Sequence, residues 1–216
     1  MACWSAENAT KAYLRTLKMG KRDKEPHVSE FISALAAGNS AQLMVEICGS
    51  TAGSTTLALV AAAQQTGGHV VCILRGLDEL HASQDVLGHD VDCVEFVIGD
   101  AKTLLLNYYK GADFVLIDCN IDDHEGIFRT VEESSKASGA VVVGYNAFCK
   151  RSTWRSGFKT QLLPIGGGLL VTRIPAAKKV GVSAAQRSRW IVRIDQCTGE
   201  EHVFRIRSPQ TKRIEA

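Results

Sequence analysis

From Met44 to Leu57 the chain reads Met-Val-Glu-Ile-Cys-Gly-Ser-Thr-Ala-Gly-Ser-Thr-Thr-Leu. These residue types suit reception of a nucleotide-like ligand. An apolar segment carrying one acid, Glu46, runs into a small-residue loop with Gly49 and Gly53 and then into a helix. Glycines let the backbone approach a ligand, and a helix start offers free N–H groups. A carboxylate accepts hydrogen bonds from hydroxyls or an amine. Glu46, Gly49, Ser50, Gly53 and Ser54 are therefore candidate binding residues. Acids also follow two later apolar runs: Asp100 within Gly99-Asp100-Ala101, and Asp118 after Phe114 to Ile117. Asp122, Asp123, His124 and Glu125 crowd behind Asp118; such a cluster could hold a cation or an amine, but the favoured reading is that Asp122 or Asp123 caps the next helix and acids enrich its first turn. His124 lacks a nucleophile or partner spacing and reads as a polar helix start.

Alternating elements must position these groups. A first helix carrying Lys11, Arg15 and Lys18 precedes a charged break from Lys21 to Pro26, and Pro26 suits the opening of a second helix through Ala37. Strands are expected at Leu43 to Ile47, His69 to Leu74, Cys93 to Ile98, Asp113 to Ile117 and Gly139 to Gly144. Helices are expected between them at Ser54 to Gln65, Leu77 to Leu87, Ala101 to Tyr109 and Ile127 to Lys136. Continuously apolar strands suit a parallel sheet covered on both faces, and the alternation implies right-handed crossovers. Ligands of such sheets bind beyond the strand C-termini. A hairpin then joins Thr160–Ile165 to Leu169–Ile174 through Gly166-Gly167-Gly168. A second pairs Trp190–Ile194 with His202–Ile206 around Thr198-Gly199.

Composition narrows the class. A chain of 216 residues with 45% hydrophobic and 22% charged residues has the make-up of a soluble globular protein. The formal net charge of +2 predicts no polyanion partner. Basic residues of the C-terminal segment alternate with acids, as on an edge strand that resists unwanted pairing, so nucleic acid is disfavoured. No apolar run reaches the roughly 18 residues of a membrane helix, and the N-terminus lacks the apolar core of a secretory signal. The seven cysteines are scattered without a Cys-x-x-Cys pair and read as reduced, buried thiols of a cytoplasmic protein.

The strand–helix order closed by a hairpin resembles the class I S-adenosylmethionine-dependent methyltransferases, specifically the catechol and caffeoyl-CoA O-methyltransferases. Glu46 stands where that family has the acid of its first motif. Ala112-Asp113-Phe114-Val115-Leu116-Ile117-Asp118 matches its fourth strand, Gly139 to Asn146 its fifth, and Gly168-Leu169-Leu170 its last. More narrowly, Trp4-Ser5, Thr10-Lys11-Ala12-Tyr13, Thr66 to Ile73 and Phe114 to Cys119 resemble a plant family of unknown function, number 1442. The resemblance implies a Rossmann-like, doubly wound, seven-stranded mixed sheet, with N-terminal helices within residues 1–175 and a β-hairpin extension over 176–216 packed on the same domain. It implies S-adenosylmethionine as cofactor, held by Glu46, Gly49, Ser50, Gly53, Ser54, Asp100 and Asp118. Asp100 then either meets the adenine amino group or caps the helix from Ala101.

Several positions depart from the family pattern. Cys48 and Ala52 replace glycines, and Leu74 followed by Arg75 replaces the acid that grips the ribose. Asp118 and Asn146 keep two positions of the family's divalent-metal set, but Tyr145 replaces its second aspartate. Ile121 stands at the catalytic lysine. The pattern therefore implies no metal site and names no catalytic residue. Two readings remain: a metal-independent methyltransferase acting on a small molecule, or a binding or regulatory protein that keeps the fold without catalysis. A dehydrogenase fits less well, because Gly-x-Gly-x-x-Gly and Tyr-x-x-x-Lys are both missing.

Overall fold

The apolar runs become strands whose side chains alternate between two buried faces. The computed structural model describes residues 4–19, 28–135, 138–149, 154, 156–176, 189–194 and 201–206. The expected break at 21–26, the opening Pro26 and the turn at 198–199 lie outside these residues. The chain divides into two compact units, Met1–Lys178 and Lys179–Ala216.

In the first unit, helices α1 (Ala6–Met19) and α2 (Val28–Gly38) precede the alternating elements. These run β1 (Leu43–Ile47), α3 (Ser54–Thr66), β2 (His69–Leu74), α4 (Leu77–Leu87), β3 (Glu95–Ile98), α5 (Ala101–Asn107), β4 (Phe114–Asp118), α6 (His124–Ser134) and β5 (Ala140–Tyr145). The hairpin β6 (Thr160–Leu163) and β7 (Leu169–Ile174) completes a seven-stranded sheet in the order β3-β2-β1-β4-β5-β7-β6. β1 to β5 are parallel, and β7 joins antiparallel to both β5 and β6. The order reverses between β1 and β4, which makes their C-terminal ends the switch point. In the second unit β8 (Arg189–Ile194) and β9 (Glu201–Ile206) pair antiparallel, Arg189 opposite Ile206 and Ile194 opposite Glu201.

The period of two along each strand sorts the core. Met44, Val70, Cys72, Phe114, Leu116, Val141 and Val143 face α1, α2 and α3, whereas Val45, Ile47, Val71, Ile73, Val115, Ile117 and Val142 face α5 and α6. By the same alternation Glu46 and Cys48 fall on the α3 side, beside Cys72. Turns punctuate the elements as their chemistry requires. Gly67 caps α3 at φ 71°, a left-handed conformation that glycine adopts without a Cβ penalty, and its N–H returns to the Ala63 carbonyl. Among the described residues no helix is long and apolar enough to cross a membrane.

Three boundaries differ from expectation for local reasons. A 3-10 turn over Gly88–Cys93 delays β3 to Glu95. α5 stops at Asn107, and the Tyr109 hydroxyl donates to Glu95 Oε1 at 2.6 Å instead of extending the helix. α6 starts at His124, earlier than Ile127. Asp123 occupies its N-cap position, yet no side-chain capping bond forms, and the carboxylate pairs with Lys102.

One polar tie sets the strand register at the opposite edge from the switch point. The Asp113 carboxylate accepts from Gln42 N–H and Leu43 N–H, at 2.9 and 3.0 Å, joining the starts of β1 and β4. Asp113→Ala should lower unfolding free energy by about 1–3 kcal/mol in urea denaturation. Exposed Asp85→Ala serves as the control and should stay within about 0.5 kcal/mol of the parent.

Candidate functional site

The loop between β1 and α3 is built around one buried carboxylate. Glu46 has no solvent exposure. Its Oε1 accepts from the Thr55 hydroxyl and its Oε2 from the Thr56 hydroxyl, both at 2.6 Å. Thr56 Oγ1 in turn accepts from Gly53 N–H at 3.2 Å, so one hydroxyl links strand, loop and first helical turn. Farther along the loop, Ala52 N–H donates to Ser83 Oγ at 2.9 Å, which fastens it to α4. Burial pushes the Glu46 carboxyl up from its usual range, against the opposing pull of the Thr55 and Thr56 hydroxyls.

At the switch point Gly49 lies against Asp118. A Cβ at Gly49 would stand 2.5 Å from Asp118 Oδ2, so a larger residue there would require the carboxylate to shift. Asp118 is nearly buried, and its Oδ1 accepts from Asn120 N–H and from Asn146 Nδ2, each at 2.9 Å. Asn146 sits at φ 60° after β5. Tyr145 packs on the α3 side of the sheet, and burial together with the Glu46 charge pushes its phenol far above the ordinary range.

A cleft of about 210 Å³ opens beyond the ends of β1, β2 and β3. Ile47, Ile73, Leu74, Ile121 and Ile127 supply its apolar walls, and Arg75, Asp100, Lys102 and Asp123 its polar ones. Of the two roles expected of Asp100, the structure shows the helix cap. It caps α5, its Oδ2 accepting from Thr103 N–H at 2.8 Å and from the Thr103 hydroxyl at 2.7 Å, and it borders the cleft. Those Thr103 bonds hold its carboxyl below the usual range. Lys102 and Asp123 form an ion pair on the wall.

The expected binding residues thus separate by depth. Asp100 lines the cleft, and Gly49 abuts its Ile121 wall through the Asp118 contact. Glu46 lies beneath the loop with both oxygens turned to α3. Ser50 and Ser54 are exposed on the loop and Gly53 is half-buried; none of the three lines the cleft. Asp78 and Glu79 begin α4 and also stay outside the lining. Sequence reasoning passed over Thr55, Thr56, Lys102 and Ile127. Two hydroxyls in the first turn after a strand acid were the legible sign of the Glu46 anchor, whereas nothing in the local pattern announces the Lys102–Asp123 pair.

Comparison with known proteins agrees with this architecture. The model of a family described as protein of unknown function, DUF1442, matches residues 1–206. No curated protein sequence matches the chain. Among solved structures, a methyltransferase from Geobacter sulfurreducens superposes with a TM-score of 0.56 at 19% identity, covering 79% of this chain and 90% of the other. An S-adenosylhomocysteine-bound methyltransferase from Podospora anserina gives 0.57 at 15% identity, covering 81% and 90%. An O-methyltransferase from Bacillus cereus, also in complex with S-adenosylhomocysteine, gives 0.53 at 15% identity over 79% and 92%. The fold is that of the class I methyltransferases.

The Glu46 environment has a measurable signature. A carboxyl raised in the folded state binds more protons there than in the unfolded chain, so its contribution to stability is greatest at low pH and declines as pH rises above 4.5. Glu46→Gln removes that titration. Urea unfolding across pH 4 to 8 should therefore show the variant gaining on the parent as pH increases; a constant difference would refute the raised carboxyl.

Proposed function

This chain belongs to the DUF1442 family of proteins of unknown function, and we propose that it binds S-adenosylmethionine at the C-terminal edge of the sheet and methylates a small molecule without a divalent metal in the reaction site. The observation that carries this reading is the cleft beyond β1, β2 and β3, bordered by Asp100 and walled by Ile47, Leu74 and Ile121. It occupies the place where doubly wound sheets receive their ligands.

The residues fit the cofactor at its adenosine end. Apolar walls suit an adenine ring, and Asp100 offers an ionised acceptor for the amino group or a ribose hydroxyl. At about 210 Å³ the cleft is smaller than the roughly 300–1,000 Å³ of typical ligand pockets, so it accommodates the adenosyl part. The methionine part then lies over the loop from Gly49 to Ser54, where the start of α3 presents N–H groups to its carboxylate. The end of β2 gives the ribose no acid: Leu74 is buried and Arg75 is exposed. When bound, the cofactor supplies a methyl group activated by its sulfonium. The chain contributes orientation of that group toward the acceptor, which can account for much of a transfer rate. Metal independence rests on the donor set: Asp118 Oδ1 is engaged by Asn146 and Asn120, and Tyr145 takes the place of an acid.

A second reading is a binding or regulatory protein that retains the cofactor fold. It is favoured by Ile121, an apolar and nearly buried side chain on the cleft wall where a base would be needed.

Calorimetric titration with S-adenosylmethionine and S-adenosylhomocysteine should give micromolar binding. Asp100→Asn keeps a side chain equally good at capping α5 and removes only the charge, so stability should hold while affinity drops about tenfold. Absence of heat with folded protein sinks the cofactor reading. Binding without S-adenosylhomocysteine formation across a panel of phenol, thiol and amine acceptors selects the second reading.

A further inference from the structure

Behind the cleft, the sheet register gathers three ligating groups that the reading above does not use. Glu46 pairs with Cys72 across β1 and β2, and Cys48 follows Glu46 by two residues on the same face. The ladder continues through Cys48, whose N–H donates to the Ile73 carbonyl at 3.1 Å. The thiols stand 3.2 Å apart, and one ligand atom from each of Glu46, Cys48 and Cys72 lies within 4.8 Å of the others. All three residues are buried.

We propose that Glu46, Cys48 and Cys72 form a buried site for a thiophilic divalent cation, Zn²⁺ being the best match, which ties the C-terminal ends of β1 and β2 to the first turn of α3. Two sulfurs and one carboxylate oxygen are a donor set for zinc, with bonds of about 2.3 Å to sulfur and about 2.0–2.2 Å to oxygen. Tetrahedral bonds of that length separate two sulfurs by about 3.7 Å, so the thiols need to part by roughly half an ångström. The groups that orient the ligands are already in place. Each Glu46 oxygen accepts one threonine hydroxyl and retains a second lone pair, and ligating carboxylates are commonly held by such bonds. Cys48 borders the cleft, and that gives the ion a path inward.

A disulfide explains the pair less well. Residues offset by two across neighbouring strands lie about 6.6 Å apart along the strand and about 4.8 Å across it, so their Cα atoms are about 8 Å apart. A disulfide spans about 4.4–6.8 Å and would have to pull the ladder out of register. An ion between the sulfurs bridges the diagonal without moving the backbone. Binding takes Zn²⁺, two thiols and one carboxylate to a complex of net charge −1 and releases two protons, so charge and atoms balance.

The test uses the full, reduced chain with Cys3, Cys93, Cys149 and Cys197 changed to serine, freed of metal by a chelator. Titration with Zn²⁺ against a chromophoric competitor should give one ion per chain, and Co²⁺ should produce a thiolate charge-transfer band. Cys48→Ser and Cys72→Ser should each lower affinity by about a hundredfold or more. Thr56→Val, which removes the donor to one Glu46 oxygen and the acceptor of Gly53 N–H, should cost about 10–100-fold, and Thr56→Ser should restore binding. Circular dichroism identifies any variant that has not folded. No stoichiometric Zn²⁺ in the background protein, binding that survives Cys72→Ser, or a cobalt spectrum without the thiolate band would each overturn the proposal. None of these measurements needs S-adenosylmethionine to bind, so the two readings fail separately.

Discussion

A charged group placed on the covered face of a parallel sheet constrains everything built around it. Glu46 lies between Met44 and Cys48 on a strand whose alternation leaves no route to solvent, and it is completely buried. An unpaired carboxylate there would be prohibitive, so its oxygens must find donors. The hydroxyls of Thr55 and Thr56 supply them from the first turn of α3. That requirement fixes where α3 begins relative to β1, and therefore the path of the loop between them. Gly53 N–H and Ala52 N–H then close onto Thr56 and Ser83, so the loop is braced from strand, helix and α4 together.

The same geometry determines what the loop can offer a ligand. Its anchors point inward, leaving Ser50, Thr51 and Ser54 as its exposed face. The cleft beside it owes its polarity to other elements: Asp100 from the cap of α5, Lys102 one turn edge later, and Asp123 before α6. A cation and an acid paired on one wall cancel each other, so Asp100 and Arg75 carry the charge that a ligand would meet. This differs from a site whose second strand ends in an acid, because here Leu74 is buried and Arg75 is exposed.

Much of the fold was legible because its physics is local and periodic. Continuous apolar runs from Val70 to Leu74 and from Phe114 to Ile117 suit strands covered on both sides, and alternation of such runs with helices restricts the topology. Boundaries were less accessible where a side chain decides them, as when Tyr109 leaves the helix for Glu95 and Asp123 pairs with Lys102 instead of capping α6. The site was legible by strand end and not by depth. Asp100, Gly49 and Asp118 could be placed at the edge from chain order. The inward turn of Glu46 depends on parity along the strand combined with two hydroxyls in α3. The meeting of Cys48 with Cys72 depends on a register that no segment of 24 residues can announce by itself.

Register also sorts the side chains of the loop. Cys48 stands two residues after Glu46, which sends its side chain to the α3 face, where it is 2% exposed. The thiol therefore occupies the space above Cys72 and leaves the path of the loop open. The close approach falls one residue on, at Gly49, because Asp118 of the neighbouring strand reaches across the switch point to that position. A Cβ there would collide with the carboxylate, whereas a Cβ at residue 48 is absorbed by the core. Beneath the loop lies a buried thiol that a glycine would not supply.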